Sequence, residues 1–134
     1  MARPILLDTD VLVDFLRGHE EAAAFVSAHA DRILLSALVV AELYSGVKGE
    51  VEEEALDDVV DLFRVVEITE EVAKAGGLYR RDYGKSHGVG LADALLAATA
   101  EAEGAELATM NIRHYPMLEG LRPAYRKAAH RSSG

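Results

Sequence analysis

The chain has 134 residues, half of them hydrophobic, with 14 Lys and Arg against 23 Asp and Glu, a formal net charge of -9 and no cysteine. That length fits one compact domain and no second one, and the missing cysteines exclude disulfide and thiolate chemistry. The acidic balance argues against a broadly basic nucleic-acid-binding surface, but it is compatible with an acidic site that recruits metal ions.

Residues 1–20 lack a signal-peptide pattern, and no apolar run approaches the ~20 residues that span a bilayer, so a soluble, cytoplasmic protein is expected. In chain order, "PILL" (4–7) reads as a strand and "TDVLVDFLRG" as the helix after it, with Asp8, Asp10 and Asp14 crowded into the junction. "HEEAAAFVSAHA" is a second helix, "RILLSA" (32–37) a second strand and "VVAELYSGVKG" a third helix. In "EVEEEALDDVVDLF", Val51, Ala55, Val59 and Leu62 recur every three or four residues, which predicts one buried face with the seven acids solvated. "RVVEI" (64–68) is a strand, "EEVAKAGGLYRRDYG" and "LADALLAATAEAEG" are helices, the latter stopped by Gly104, and "ELATM" (106–110) is the last strand. Such alternation predicts an α/β fold: a mainly parallel sheet covered by helices on both faces, occupying residues 1–121. Residues 122–134, with Arg122, Arg126, Lys127 and Arg131 and no acid, are expected to form a basic, flexible tail.

In sheets of this kind, ligands gather beyond the carboxyl ends of strands, where strand order reverses. Asp8 closes "ILL"; Glu42 is the only charge from 37 to 44, and Asp93 the only charge from 89 to 100. Each has a plain structural reading. Asp8 or Thr9 caps the first helix, Asp93 follows Gly90 closely enough to complement a helix dipole, and Glu42 lies on an exposed helix face. The chemical reading joins them. A lone carboxylate is costly to bury, whereas several sharing a divalent cation are not, and such ions activate water and stabilise charge on a phosphodiester. The five histidines are scattered and show no H-E-x-x-H, so a soft-metal site is poorly supported.

The segments "ILLDTDVLVDFLRG", "LSALVVAELYSGV", "GVGLADALLAATA" and "LATMNIRHYP", in this order and at these intervals, resemble the PIN-domain ribonucleases, specifically the VapC-type toxins of bacterial and archaeal toxin–antitoxin pairs. The match runs from position 5 to about 116. It implies a three-layer α/β/α domain, Mg2+- or Mn2+-dependent endonucleolytic cleavage of RNA by a metal-activated water, inhibition by a cognate VapB-type antitoxin, and a homodimer. Carried over by position, Asp8 and Asp93 are implied direct metal ligands, and Glu42 binds metal, orients a ligand or positions a water. Many relatives have an aspartate near the end of a T-x-N-x-x-D-F segment. Here "TMNIRHY" puts His114 at that place, which weakens a four-acid, two-metal site; His114 is not counted as a ligand, and Asn111 is retained as a partner for metal-bound water. Arg17, Arg80, Arg81 and Arg113 are candidates for RNA phosphate contacts, against the alternative of solvated helix charges. Tyr44 and Tyr79 stack on bases or pack in the core. Asp10 is expected to favour the helix N-terminus, and Asp14 to be solvated or paired with Arg17.

Two other readings fit part of the pattern. "DTDV" matches the D-x-D-x-[T/V] start of haloacid-dehalogenase-like phosphatases, with Asp8 as nucleophile and Asp10 as acid/base. Leu12 stands at the Thr/Val position, however, and the later lysine and paired-aspartate motifs have no convincing counterparts. A receiver-like or catalytically degenerate PIN module would bind metal or protein without cleaving RNA. For a receiver, "RVVEIT" ends in Glu67 where an aspartate is needed.

Overall fold

The computed structural model describes residues 2–127. Four strands, β1 (Ile5–Leu7), β2 (Ile33–Ser36), β3 (Arg64–Val66) and β4 (Glu106–Ala108), form a parallel sheet in the order β3-β2-β1-β4. The two central strands are buried along their whole length, as near-continuous apolar runs must be when both faces are covered. The edge strands β3 and β4 each begin with an exposed residue.

Helices α1 (Thr9–Leu16) and α2 (Glu20–His29) carry the chain from β1 to β2, and α3 (Ala37–Ser45) and α4 (Gly49–Val60) carry it from β2 to β3. Helices α5 (Glu70–His87) and α6 (Leu91–Ala102) then return it across the sheet to β4. Because parallel crossovers are right-handed, the outward steps and the return place their helices on opposite faces, which makes the three layers. Side-chain oxygens start three of the helices: Asp8 accepts from Thr9 N, Ser36 from Leu38 N and Thr69 from Val72 N. Helix α5 ends at Gly88, whose φ of 66° is a left-handed cap that other residues adopt at a cost. It packs closely along α6: a Cβ on Gly76 would lie 2.6 Å from Leu95 Cδ2 and 3.0 Å from Leu95 Cα.

Three expectations change on the structure. In α4 the buried side chain is Leu56, flanked by the partly buried Val59, Val60 and Phe63, while Val51 is 83% and Leu62 66% exposed. The inward stripe is thus 56, 59, 60 and 63, rotated from the predicted one, because only the later part of α4 reaches the core; the seven acids are exposed. Asp14 is neither solvated nor paired with Arg17. It is buried, and accepts from the Tyr125 hydroxyl at 2.5 Å and from Lys127 Nζ at 3.0 Å, with His19 Nε2 at 3.7 Å. The start of the expected tail is therefore held to the domain: Tyr125 also lies against the Phe25 ring, and Ala124 N donates to Thr109 O at 3.0 Å. The rest of that segment, 128–134, lies outside the described residues.

Candidate active site

Strand β1 has β2 on one side and β4 on the other, so strand order reverses at β1, and the carboxyl end of that strand is where sheets of this kind bind ligands. Asp8 stands at that point. Its backbone N–H donates to Ala108 O at 2.9 Å, continuing the β1–β4 ladder by one residue, before the chain turns into α1. The side chain is mostly buried and held at both oxygens: Oδ1 accepts from Thr9 N at 2.7 Å, and Oδ2 from Thr109 Oγ1 at 2.8 Å and the Tyr115 hydroxyl at 2.7 Å.

Asp93 reaches the same hydroxyl from the other side. It sits in the first turn of α6, where the helix N-terminus favours a carboxylate. The Tyr115 hydroxyl lies 3.2 Å from its Oδ1, and His114 Nδ1 lies 3.3 Å from its Oδ2. A phenol has one proton to give, and the shorter contact assigns it to Asp8. Burial, together with the charge of Asp8, pushes the Asp93 carboxyl above its ordinary range despite the lowering effects of His114 and Tyr115. Burial and the same two carboxylates also push the Tyr115 phenol up, so it stays a donor.

Asp10 forms the back of the site. Its Oδ2 accepts from Met110 N at 2.9 Å and Asn111 Nδ2 at 3.0 Å, pinning the loop after β4 to the start of α1, while Oδ1 is buried with no hydrogen-bond partner among the described residues. Burial and the charge of Asp8 raise its carboxyl above the usual range, against backbone N–H groups that lower it.

The structure thus brings Asp8 and Asp93 together, and places the other candidates at differing removes. Glu42 is exposed and accepts from Thr9 Oγ1 at 2.8 Å, so it touches the neighbour of Asp8 and neither of the two aspartates. The side-chain amide of Asn111 is turned to Asp10. Arg113 is exposed in the 3-10 turn Ile112–His114, beside His114. Arg17 caps the C-terminal end of α1, a helix length of about 12 Å from the end that Asp8 caps. Arg80 and Arg81 are exposed on α5, where Arg81 pairs with Asp82 at 2.8 Å. Sequence reasoning missed Thr109 and Tyr115. No local period marks either residue, since Asn111, Arg113 and His114 around Tyr115 are exposed.

The donor set suits a hard divalent cation. Asp8 and Asp93 offer only carboxylate oxygens, they repel each other, and no Lys or Arg among the described residues pairs with either. Among the described residues no three His, Cys, Asp or Glu side chains converge closely enough to hold an ion. Asp8 and Asp93 would give such an ion two carboxylates, and Glu42, for which metal binding is one of three sequence readings, meets Thr9 and neither aspartate.

The family model described as PIN domain matches residues 5–117. Ribonuclease VapC10 of Mycobacterium tuberculosis is 40% identical over 130 residues, covering 95% of this chain and 97% of the relative. Ribonuclease VapC19 of the same organism is 40% identical over 124 residues, covering 90% and 98%. Among solved structures, a chain of VapBC2 from Rickettsia felis bound to a DNA fragment from its promoter superposes with a TM-score of 0.73 at 25% identity, covering 87% of this chain and 94% of that one.

Proposed function

Since the chain belongs to the PIN domain family, we propose that it is a divalent-metal-dependent endoribonuclease, the toxin of a VapBC-type toxin–antitoxin pair. The observation that carries this reading is the meeting of Asp8 and Asp93 on one buried hydroxyl at the strand-order reversal. Asp8 and Asp93 would hold Mg2+, or Mn2+ in its place. Such an ion, when bound, supplies Lewis-acid activation of water and neutralises charge developing on the phosphate.

The protein's own groups do the rest. Hydrolysis adds water across one P–O ester bond, the hydroxide going to phosphorus and a proton to the departing oxygen, and no side chain need form a covalent bond. Thr9, Thr109 and Tyr115 fix the orientation of the Asp8 carboxylate. Glu42 has an exposed carboxylate on the Thr9 hydroxyl, a suitable place from which to orient water or accept a proton. Asn111 acts indirectly, by locking the loop after β4 through Asp10. Arg113 is the guanidinium best placed for an RNA phosphate, since it shares its turn with His114.

The family relationship supports two partners, RNA as substrate and a VapB-type antitoxin as inhibitor, together with a homodimer in the cytoplasm. No described helix is long and apolar enough to cross a membrane. The test is expression with and without a cognate antitoxin, and incubation of the purified chain with structured RNAs in Mg2+ or EDTA. Growth arrest relieved by the antitoxin, with cleavage that stops in EDTA, is the expected result. Neither toxicity nor cleavage would leave a binding module, and equal cleavage in EDTA would refute the metal site.

A further inference from the structure

We propose that Tyr115 is a positioning residue whose hydroxyl sets the placement of Asp8 and Asp93 for a divalent cation, an inference that rests on reading those two carboxylates as the cation site. Tyr115 is 1% exposed and its ring belongs to the hydrophobic core. Its backbone is held from both sides, Tyr115 N donating to Ile112 O at 3.1 Å and Leu118 N donating to Tyr115 O at 3.0 Å. The hydroxyl oxygen therefore cannot leave the site without opening the core; only its hydrogen can rotate. That fixed oxygen lies 2.7 Å from Asp8 Oδ2 and 3.2 Å from Asp93 Oδ1.

Three donors already sit on Asp8, namely Thr9 N, Thr109 Oγ1 and the Tyr115 hydroxyl. An ionised carboxylate accepts at about four lone-pair positions, so these donors leave one direction free and so select where an ion can sit. Asp93 Oδ1 lies 3.2 Å from the same hydroxyl oxygen and its Oδ2 3.3 Å from His114 Nδ1, so the phenol, whose one proton goes to Asp8, can turn that proton to Asp93 when an ion takes up Asp8. The substitution Tyr115→Phe would keep the ring and its packing while removing the hydroxyl that lies within hydrogen-bond reach of both acids. Groups that orient metal ligands in this way are worth about 10–100-fold in metal affinity.

The experiment is titration of the full chain with Mn2+, without RNA, followed by calorimetry and by the Mn2+ electron paramagnetic resonance signal, for the wild type, Tyr115→Phe, Asp8→Asn and Asp93→Asn. Near-UV tyrosine difference spectra are recorded alongside, with circular dichroism as the check on folding. The expected result is that Tyr115→Phe keeps the fold but binds Mn2+ about 10–100-fold more weakly, and loses the metal-induced tyrosine difference signal of the wild type. Affinity in Tyr115→Phe equal to or above the wild type, while either aspartate variant loses it, would overturn the role of Tyr115 and leave the cation site standing. Unchanged affinity in both aspartate variants would overturn the cation site itself, and the proposal with it.

Discussion

Replacing Asp14 with asparagine removes one charge from a setting that holds it with donors from the other end of the chain. The side chain is only 8% exposed, and the Tyr125 hydroxyl and Lys127 Nζ lie at 2.5 and 3.0 Å. Hydrogen bonds to a charged acceptor contribute about 1.5–3 kcal/mol each, against roughly 1 kcal/mol for neutral pairs. Lys127 is half-exposed, so solvent screens its share, and asparagine keeps an oxygen for one donor. The net loss at pH 7 is then about 1–2 kcal/mol, a fall in Tm of roughly 3–7 °C for a chain of this size. Burial raises the Asp14 carboxyl, but the hydrogen bonds from Tyr125 and Lys127, with the charges of Lys127 and His19, outweigh it and hold the group below its ordinary value of 3.8. A depressed folded-state pKa gives stability that is complete above the unfolded-state value and is lost as pH falls through the folded-state one. Urea unfolding of the wild type and Asp14→Asn at pH 7, and again well below pH 4, should show a gap that closes on acidification. In a chain ending at Leu121, which lacks both donors, the substitution should have little effect. Equal stabilities at pH 7, or a gap that acid leaves unchanged, would refute the reasoning.

Asp10→Asn should retain appreciable RNA cleavage, because the residue's hydrogen bonds go to the loop after β4 and not to Asp93; complete loss in a cleavage assay would assign it a direct part. Leu56→Ala should cost about 2–4 kcal/mol in chemical denaturation, the usual range for a truncated core side chain, whereas Val51→Ala should stay within about 0.5 kcal/mol. The reverse order would restore the stripe predicted from sequence. Gly76→Ala gains about 1 kcal/mol of helix propensity but forces α5 off the Leu95 backbone, for a net destabilisation of about 1–2 kcal/mol, read as a lower urea midpoint.

The local signals in the sequence carried most of the fold. The buried parallel strands carry the apolar runs "ILL" (5–7) and "ILL" (33–35), and each run is followed at once by a polar cap residue, Asp8 or Ser36, which marks the strand-to-helix junction. Where period was the guide and apolar residues were sparse, it gave the wrong rotation. In α4 the spacing of Val51, Ala55, Val59 and Leu62 is as helical as that of Leu56, Val59, Val60 and Phe63, and only packing against the core chooses between them. Three acids stand out in the sequence, Asp8, Glu42 and Asp93, because a charge in an apolar run needs an explanation wherever it stands; two of them meet on one hydroxyl, and Glu42 meets Thr9 instead. The supports of the site were not legible. Tyr115 meets Asp8 through the turn after β4, and Tyr125 meets Asp14 across nearly the whole chain, contacts that depend on tertiary placement and leave no local period. Asn111 and Glu42 show the same limit from the other direction: both lie near the site, yet their hydrogen-bond partners, Asp10 and Thr9, read in the sequence as helix-start residues.

The most direct test of the central claim is RNA cleavage in Mg2+ by the folded Asp8→Asn and Asp93→Asn variants, each compared with the wild type and with the wild type in EDTA. Both substitutions are expected to abolish cleavage, as EDTA does, with the fold unchanged by circular dichroism. Full activity in either variant would contradict that claim.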